Sequence, residues 1–183
     1  MQIDVIMAGF GGQGLMVIGK LLALAGLDEK KEVTWLPSYG PEMRGGTANC
    51  TVVVSDEPIG SPLSSSPKAA IVMNRPSLDK FGPKIRPGGV LVVNSSLIPL
   101  SANRKDITEF RIRADDIATE AGSRRAANLV VLGALNGLLE IVSTKSLEAA
   151  IRHAFERKPE FVEINLTSYR KGYELAKAGK SDD

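Results

Sequence analysis

The sequence predicts an α/β fold: a Rossmann-like open, mostly parallel sheet flanked by helices, with one returning strand and a helical C-terminal third. Three observations carry this expectation. A short apolar run ends in a glycine cluster that opens directly into a helical stripe, further strand-length apolar runs recur between loop-forming stretches, and the last third changes to helical periodicity. The length of 183 residues suits one domain, 1–183, with a single sizeable core and no linker dividing it.

In chain order, residues 3–8 read as a buried strand, followed by the cluster MAGFGGQGL and a helix over 15–27 with Leu15, Ile18, Leu22 and Ala25 on one stripe. Residues 32–36 (EVTWL) form a second strand, which makes a βαβ unit with two parallel strands. The loop PSYGPEMRGG follows, and a strand returns over 47–55 with Ala48, Cys50, Val52 and Val54 on one face. A surface loop, EPIGSPLSSSP, leads to strands over 69–73 and 90–94, with a short helix or turn near 76–81 between them. One more strand is expected over 109–113. Helices then cover 115–121, 124–142 and 147–157, with a last one after Pro159.

Composition narrows the function classes. Hydrophobic residues at 43% and charged residues at 24% describe a globular chain, and no apolar run reaches the length of a bilayer span. A net charge of +2 with scattered basic residues gives no nucleic-acid footprint. A single cysteine, Cys50, forms no internal disulfide and cannot ligate an iron–sulfur cluster by itself, so any such cluster would sit on another chain. That cysteine usage, with an N-terminal stretch unlike a secretory signal, points to the cytoplasm.

Gly9, Gly11 and Gly14 satisfy G-x-G-x-x-G after a strand and at a helix start. Gly9 would permit the tight turn, Gly11 would let a phosphate approach the backbone, and Gly14 would let the helix sit close to the strand. Free N–H groups and the helix dipole favour an anion there, although turn and packing alone also explain the glycines. A dinucleotide fold places an acid about 20 residues on; here that region reads Trp35-Leu36-Pro37-Ser38, which argues against NAD. Gln13 adds an amide able to bond a ligand or a neighbouring chain. The second loop should emerge at the same carboxyl edge, where Arg44 beside Gly45 and Gly46 could present a guanidinium to a phosphate or carboxylate, or pair with Glu42.

Elsewhere, His153 reads as a surface residue, and Cys50 as a buried thiol without a basic neighbour. The helix over 126–142 is apolar nearly all round and must be buried, with Gly133 and Gly137 allowing close approach of another backbone. Asp115 and Asp116 most simply begin a helix, and Trp35 is either a core ring or an interface anchor.

GFGGQG after the first strand, SYGPEMRGG after the second, the strand ending VVVSDEPIGSP and the late helix NLVVLGAL together resemble the gamma subunit of 2-oxoacid:ferredoxin oxidoreductases of the 2-oxoglutarate or branched-chain type. The likeness covers nearly the whole chain. It implies a role in a complex that decarboxylates a 2-oxoacid, joins the acyl group to coenzyme A and reduces ferredoxin. It further implies alpha, beta (thiamine-diphosphate-binding) and delta (ferredoxin-like) partners, with thiamine diphosphate, Mg2+ and [4Fe-4S] clusters on those partners. Gly9, Gly11, Gly12, Gln13, Gly14, Ser38, Tyr39, Glu42, Arg44, Gly45 and Gly46 carry over as motif positions toward coenzyme A or a neighbouring subunit. No catalytic or metal-binding residue is carried over. A free-standing NADP-binding module, with Arg44 on the ribose phosphate, and a purely structural assembly subunit are the alternative readings.

Overall fold

A computed structural model describes residues 1–38 and 47–182. Six strands form one sheet: β1 (Gln2–Phe10), β2 (Glu32–Ser38), β3 (Thr47–Ser55), β4 (Ala69–Val72), β5 (Val90–Asn94) and β6 (Thr108–Ile112), in the spatial order β2-β3-β1-β4-β5-β6. β1, β4, β5 and β6 pair in parallel, and β3 runs antiparallel to both of its neighbours, β1 and β2. The mostly parallel sheet with one returning strand is therefore the observed architecture.

The first two strands do point the same way, but they do not pair, because β3 lies between them. The burial of the strands gives the reason. Val52, Val53 and Val54 of β3 are all buried, which suits a strand covered on both faces. β2 carries Glu32, Thr34, Ser38 and Pro37 and is only half-buried, which suits the edge.

Alternate residues of the sheet feed two cores. Val5, Met7, Cys50, Val52, Ile71 and Val92 face one side, where they pack with α1 (Leu15–Asp28), α3 (Ala114–Glu120), α4 (Ala127–Leu139), α5 (Thr144–Phe155) and α6 (Pro159–Lys177). Ile6, Ala8, Ala70, Val72, Leu91 and Val93 face the other side, against Leu78 and Phe81 of α2 (Arg75–Phe81) and Ile85 and Ile98 of nearby loops. β6, the second edge strand, is covered by the chain's end: Arg111 N–H donates to Ser181 Oγ and Asp182 N–H to the Arg111 carbonyl, each at 2.9 Å.

The expected helix over 124–142 is divided, with a single 3-10 turn at Arg124–Ala126 before α4. As its composition requires, α4 is buried from Ala127 to Gly137. Its small residues set the distance to α6. A Cβ on Gly133 would fall on the Tyr169 carbonyl oxygen, one on Gly137 would lie 2.7 Å from the Tyr173 oxygen, and one on Gly172 of α6 would fall on the Val130 carbonyl. Asn136 closes the same seam: its Nδ2 donates to the Val142 carbonyl at 2.9 Å and to the Tyr169 hydroxyl at 3.2 Å.

Candidate functional site

The carboxyl ends of β1, β4 and β5 open on one rim, where the glycine turn, α4 and the corner after β5 meet. β1 ends at Phe10, and Gln13 folds back over the turn: its Oε1 accepts the Phe10 N–H at 2.6 Å and its Nε2 donates to the Met73 carbonyl at 3.1 Å. The amide thus locks the turn onto the end of β4, so its polar atoms have partners within the chain. Gly12 (φ 93°) and Gly14 (φ 75°) adopt the left-handed conformation that the turn demands. This redistributes the roles expected for the glycines. Gly9 lies in β1 and supplies space for Gln13 and Met73, whereas Gly14 packs against α4 rather than a strand, with Asn128 Nδ2 donating to its carbonyl at 3.1 Å.

Gly14 is the N-cap of α1, and no side chain caps this helix start or places an acid in its first turn. The first-turn N–H groups therefore keep their donor capacity and the positive end of the helix dipole. Across the rim, β5 ends in the fully buried Asn94, whose Oδ1 accepts the Ala114 N–H at 3.2 Å and the Ser96 N–H at 3.3 Å. Its Nδ2 donates to Asp115 Oδ1 at 2.8 Å, and Asp115 Oδ2 in turn accepts Arg124 Nε at 2.7 Å. Together Gly12, Gln13, Met73, Asp115, Arg124, Arg125 and Asn128 line a crevice of about 240 Å³.

A second cleft of about 240 Å³ adjoins it, sharing Arg125 and Asn128 and walled by Val17, Leu129, Phe155, Phe161 and Lys158. Among the described residues Arg125 and Lys158 have no ion-pair partner, and no group of three or more histidine, cysteine or acidic side chains is arranged to hold a metal ion. The surface is thus cationic beside apolar walls, with backbone donors at one end. Chemically, it can receive a phosphorylated group and an attached apolar moiety.

Of the residues singled out from the sequence, Gly12 and Gln13 line the crevice, Gly14 lines the adjoining cleft, and Gly9 and Gly11 belong to the strand end and turn that form the rim. Ser38 ends β2 on the same edge, paired with Asn49, which pairs in turn with Ala8, so two strand spacings, about 10 Å, separate it from β1. Tyr39, Glu42, Arg44, Gly45 and Gly46 lie outside the described residues; the strand ends that flank them, Ser38 and Thr47, are both at the carboxyl edge of β1.

Sequence reasoning missed Asn94, Arg124 and Arg125, and read Asp115 only as a helix-start carboxylate. Asp116 does behave in that way, accepting Arg113 Nε on the surface at 2.7 Å, but Asp115 is buried between Asn94 and Arg124. No spacing signal links the end of β5, the start of α3 and the turn between α3 and α4. His153 is 76% exposed beside Glu156, as its neighbours in the sequence imply. Cys50 is buried within the sheet, and desolvation pushes its thiol up to about 12, far from the range of a nucleophile. Trp35 leans on the core beside Gly19 and Cys50.

A glycine turn, an uncapped helix start and two arginines gathered at the carboxyl edge of a mostly parallel sheet define a Rossmann-like domain with an anion-receptive crevice. Residues 4–175 match the family described as pyruvate ferredoxin/flavodoxin oxidoreductase, and the chain belongs to that family, as a domain of the gamma-subunit type. It is 38% identical to the 2-oxoglutarate synthase subunit KorC of Methanocaldococcus jannaschii, covering 97% of this chain and 95% of that protein. It is also 37% identical to the ketoisovalerate oxidoreductase subunit VorA of Methanothermobacter marburgensis, where 96% of this chain spans only 37% of the relative. Among solved structures, the gamma subunit of a keto/oxoacid ferredoxin oxidoreductase from Geobacter sulfurreducens superposes with a TM-score of 0.82 at 31% identity, over 96% of this chain and 99% of that one. The 2-oxoglutarate:ferredoxin oxidoreductase of Magnetococcus marinus, solved with 2-oxoglutarate, coenzyme A and succinyl-CoA bound, gives a TM-score of 0.89 at 26% identity, over all of this chain and 32% of that one. Among the described residues no helix is long and apolar enough to cross a membrane.

Proposed function

We propose that this chain is the gamma subunit of a cytoplasmic 2-oxoacid:ferredoxin oxidoreductase and that its crevice holds the phosphate end of coenzyme A. The reaction of the complex would convert one 2-oxoacid, one coenzyme A and two oxidised ferredoxins to acyl-CoA, CO2, two reduced ferredoxins and a proton. Decarboxylation and electron transfer fall to the partner subunits, which carry thiamine diphosphate with Mg2+ and the [4Fe-4S] clusters. This chain's own contribution is binding: it holds and orients the acyl acceptor, and it has no oxidoreductase activity alone.

The observation that carries the reading is the pair of adjoining clefts at the carboxyl edge, one lined by the glycine turn with the cations Arg124 and Arg125, the other by the uncapped start of α1 with Arg125. Coenzyme A brings a pyrophosphate and a ribose phosphate, so it matches this donor set, and the absence of a ribose-binding acid costs it nothing. The Magnetococcus neighbour, which carries coenzyme A by description, supports the choice of ligand.

Arg125→Glu in the assembled complex tests it. This exchange reverses an exposed cation at the rim, so the KM for coenzyme A should rise about tenfold, while the KM for the 2-oxoacid should stay where it was. An intact complex whose KM for coenzyme A does not move would favour a purely structural role for the chain.

A further inference from the structure

We propose that Arg124 is the cation that binds a pyrophosphate group in the crevice, and that Asp115 is the positioning residue that fixes its guanidinium, backed by Asn94. The proposal rests on the function above only for the identity of the molecule carrying the pyrophosphate.

The asymmetry of the pair is the first argument. Arg124 is 68% exposed and Asp115 only 10%, whereas both partners lie largely in solvent in the pairs Arg113–Asp116, Arg75–Asp79 and Arg152–Glu163. A surface pair gains little from such contacts and moves freely. Here the acid belongs to the interior, and its geometry is imposed from behind. Asn94 is fully buried, held by two backbone N–H groups, and passes that order to Asp115 through a 2.8 Å hydrogen bond.

The way Arg124 is held gives the second argument. Of the five donors of a guanidinium, Asp115 engages the one on Nε, at 2.7 Å. The four on the terminal nitrogens have no partner among the described residues, and Arg124 lines the crevice together with Gly12. A guanidinium fixed at Nε presents a planar fork, which suits two oxygens of a phosphate better than a mobile point charge does. The carboxylate offsets part of the positive charge but sits behind it, so the pair works as an oriented dipole. Arg125, with no ion-pair partner among the described residues, adds the net charge, and Gly12 and Gln13 of the turn line the same space.

Titration calorimetry of inorganic pyrophosphate into the full chain provides the direct test, with KM values for coenzyme A and for pantetheine in the assembled complex beside it. Arg124→Ala should weaken pyrophosphate binding and raise the KM for coenzyme A by about tenfold or more, as expected for losing a charge-assisted fork. Pantetheine, which has no pyrophosphate, should keep its KM in the same variant, an outcome that a folding defect would not give. Arg124→Lys should recover only part of the loss, and Asp115→Asn should weaken pyrophosphate about threefold with Arg124 still present. Wild-type affinity in Arg124→Ala, or no pyrophosphate binding by the wild-type chain, would overturn the assignment. Wild-type affinity in both Asp115→Asn and Arg124→Lys would overturn the positioning role. A pyrophosphate response to Arg124→Ala without any change for coenzyme A would keep this inference and remove coenzyme A as the ligand. An Arg125→Glu effect on coenzyme A without any Arg124 effect would do the reverse.

Discussion

Gly14→Ala should cost the fold about 2–3 kcal/mol, and the cost should depend on Asn128. The first part of the penalty is conformational: Gly14 sits at φ 75°, ψ 24°, where an L side chain costs about 1–2 kcal/mol. The second part comes from contact, because a Cβ there falls on Asn128 Nδ2 and lies 3.1 Å from its Cγ. The amide is the far end of a flexible side chain, so it rotates away instead of forcing the backbone, and it surrenders its 3.1 Å hydrogen bond to the Gly14 carbonyl. Losing that bond is worth about 0.5–1.5 kcal/mol. For a chain of this size the sum lowers Tm by about 4–12 °C. Urea unfolding followed through Trp35, the single tryptophan, measures it. Gly12→Ala is the control, since Gly12 also has positive φ but meets nothing within 4 Å. Asn128→Ala completes a double-mutant cycle. It should destabilise the wild type by about 1 kcal/mol, the worth of that hydrogen bond, yet add almost nothing to Gly14→Ala. Additive costs for the two substitutions would refute the reasoning and leave Gly14 as a matter of backbone conformation alone.

Two further outcomes concern the interior. Burial pushes the Cys50 thiol from 9.0 to about 12 and the Tyr169 hydroxyl from 10.0 to about 12, so the folded chain holds both protons more tightly than the unfolded one. Stability should therefore be constant in these groups below about pH 9 and fall as pH rises from 9 toward 12. Urea midpoints at pH 8 and 10.5 check this, and Cys50→Ala should reduce the difference; a midpoint that rises with pH contradicts it. At the α4–α6 seam, Gly172→Ala should cost about 3 kcal/mol because the new Cβ meets backbone, the Val130 carbonyl, which cannot rotate aside. Gly60→Ala, in open space, should be neutral in the same thermal assay, and equal Tm values for the two would contradict the packing account.

The legible parts of the fold were those in which local pattern and final environment agree. AAIV and the VLVV of VLVVN are continuous apolar runs, and both strands end up in the middle of the sheet with every residue buried. The glycine cluster was legible because positive φ and close approach leave few residue types able to serve. The parallel direction of the first two strands was legible, whereas strand order was not read at all, because it is a long-range property. Yet a usable signal was present: TVVV is apolar on both faces and EVTWLPS is not, which places the third strand inside and the second at the edge. The crevice was half legible. Its glycine wall follows a known spacing, whereas Asn94 ends β5, Asp115 begins α3 after the neighbouring β6, and Arg124 lies in the turn between α3 and α4, so their meeting depends on the pairing of β5 with β6 and on the turn after α3.

The same helix that completes the core also makes one wall of the crevice, and this has an energetic consequence for binding. α4 is pinned along its length by backbone-to-backbone contact at Gly133, Gly137 and Gly172 and by Asn136 on Val142 and Tyr169. Near its start, Asn128 reaches the Gly14 carbonyl and so ties the glycine turn to that rigid element. Just ahead of α4, Arg124 is tied through Asp115 to the fully buried Asn94. A polar group that enters between these walls meets donors already oriented, so little side-chain ordering is charged against binding beyond the free end of Arg125. Preorganisation of this kind explains why buried asparagines, which contribute little as core filling, support the crevice, Asn128 in its lining and Asn94 behind Asp115. Each converts a core contact into a fixed direction for a donor at the surface.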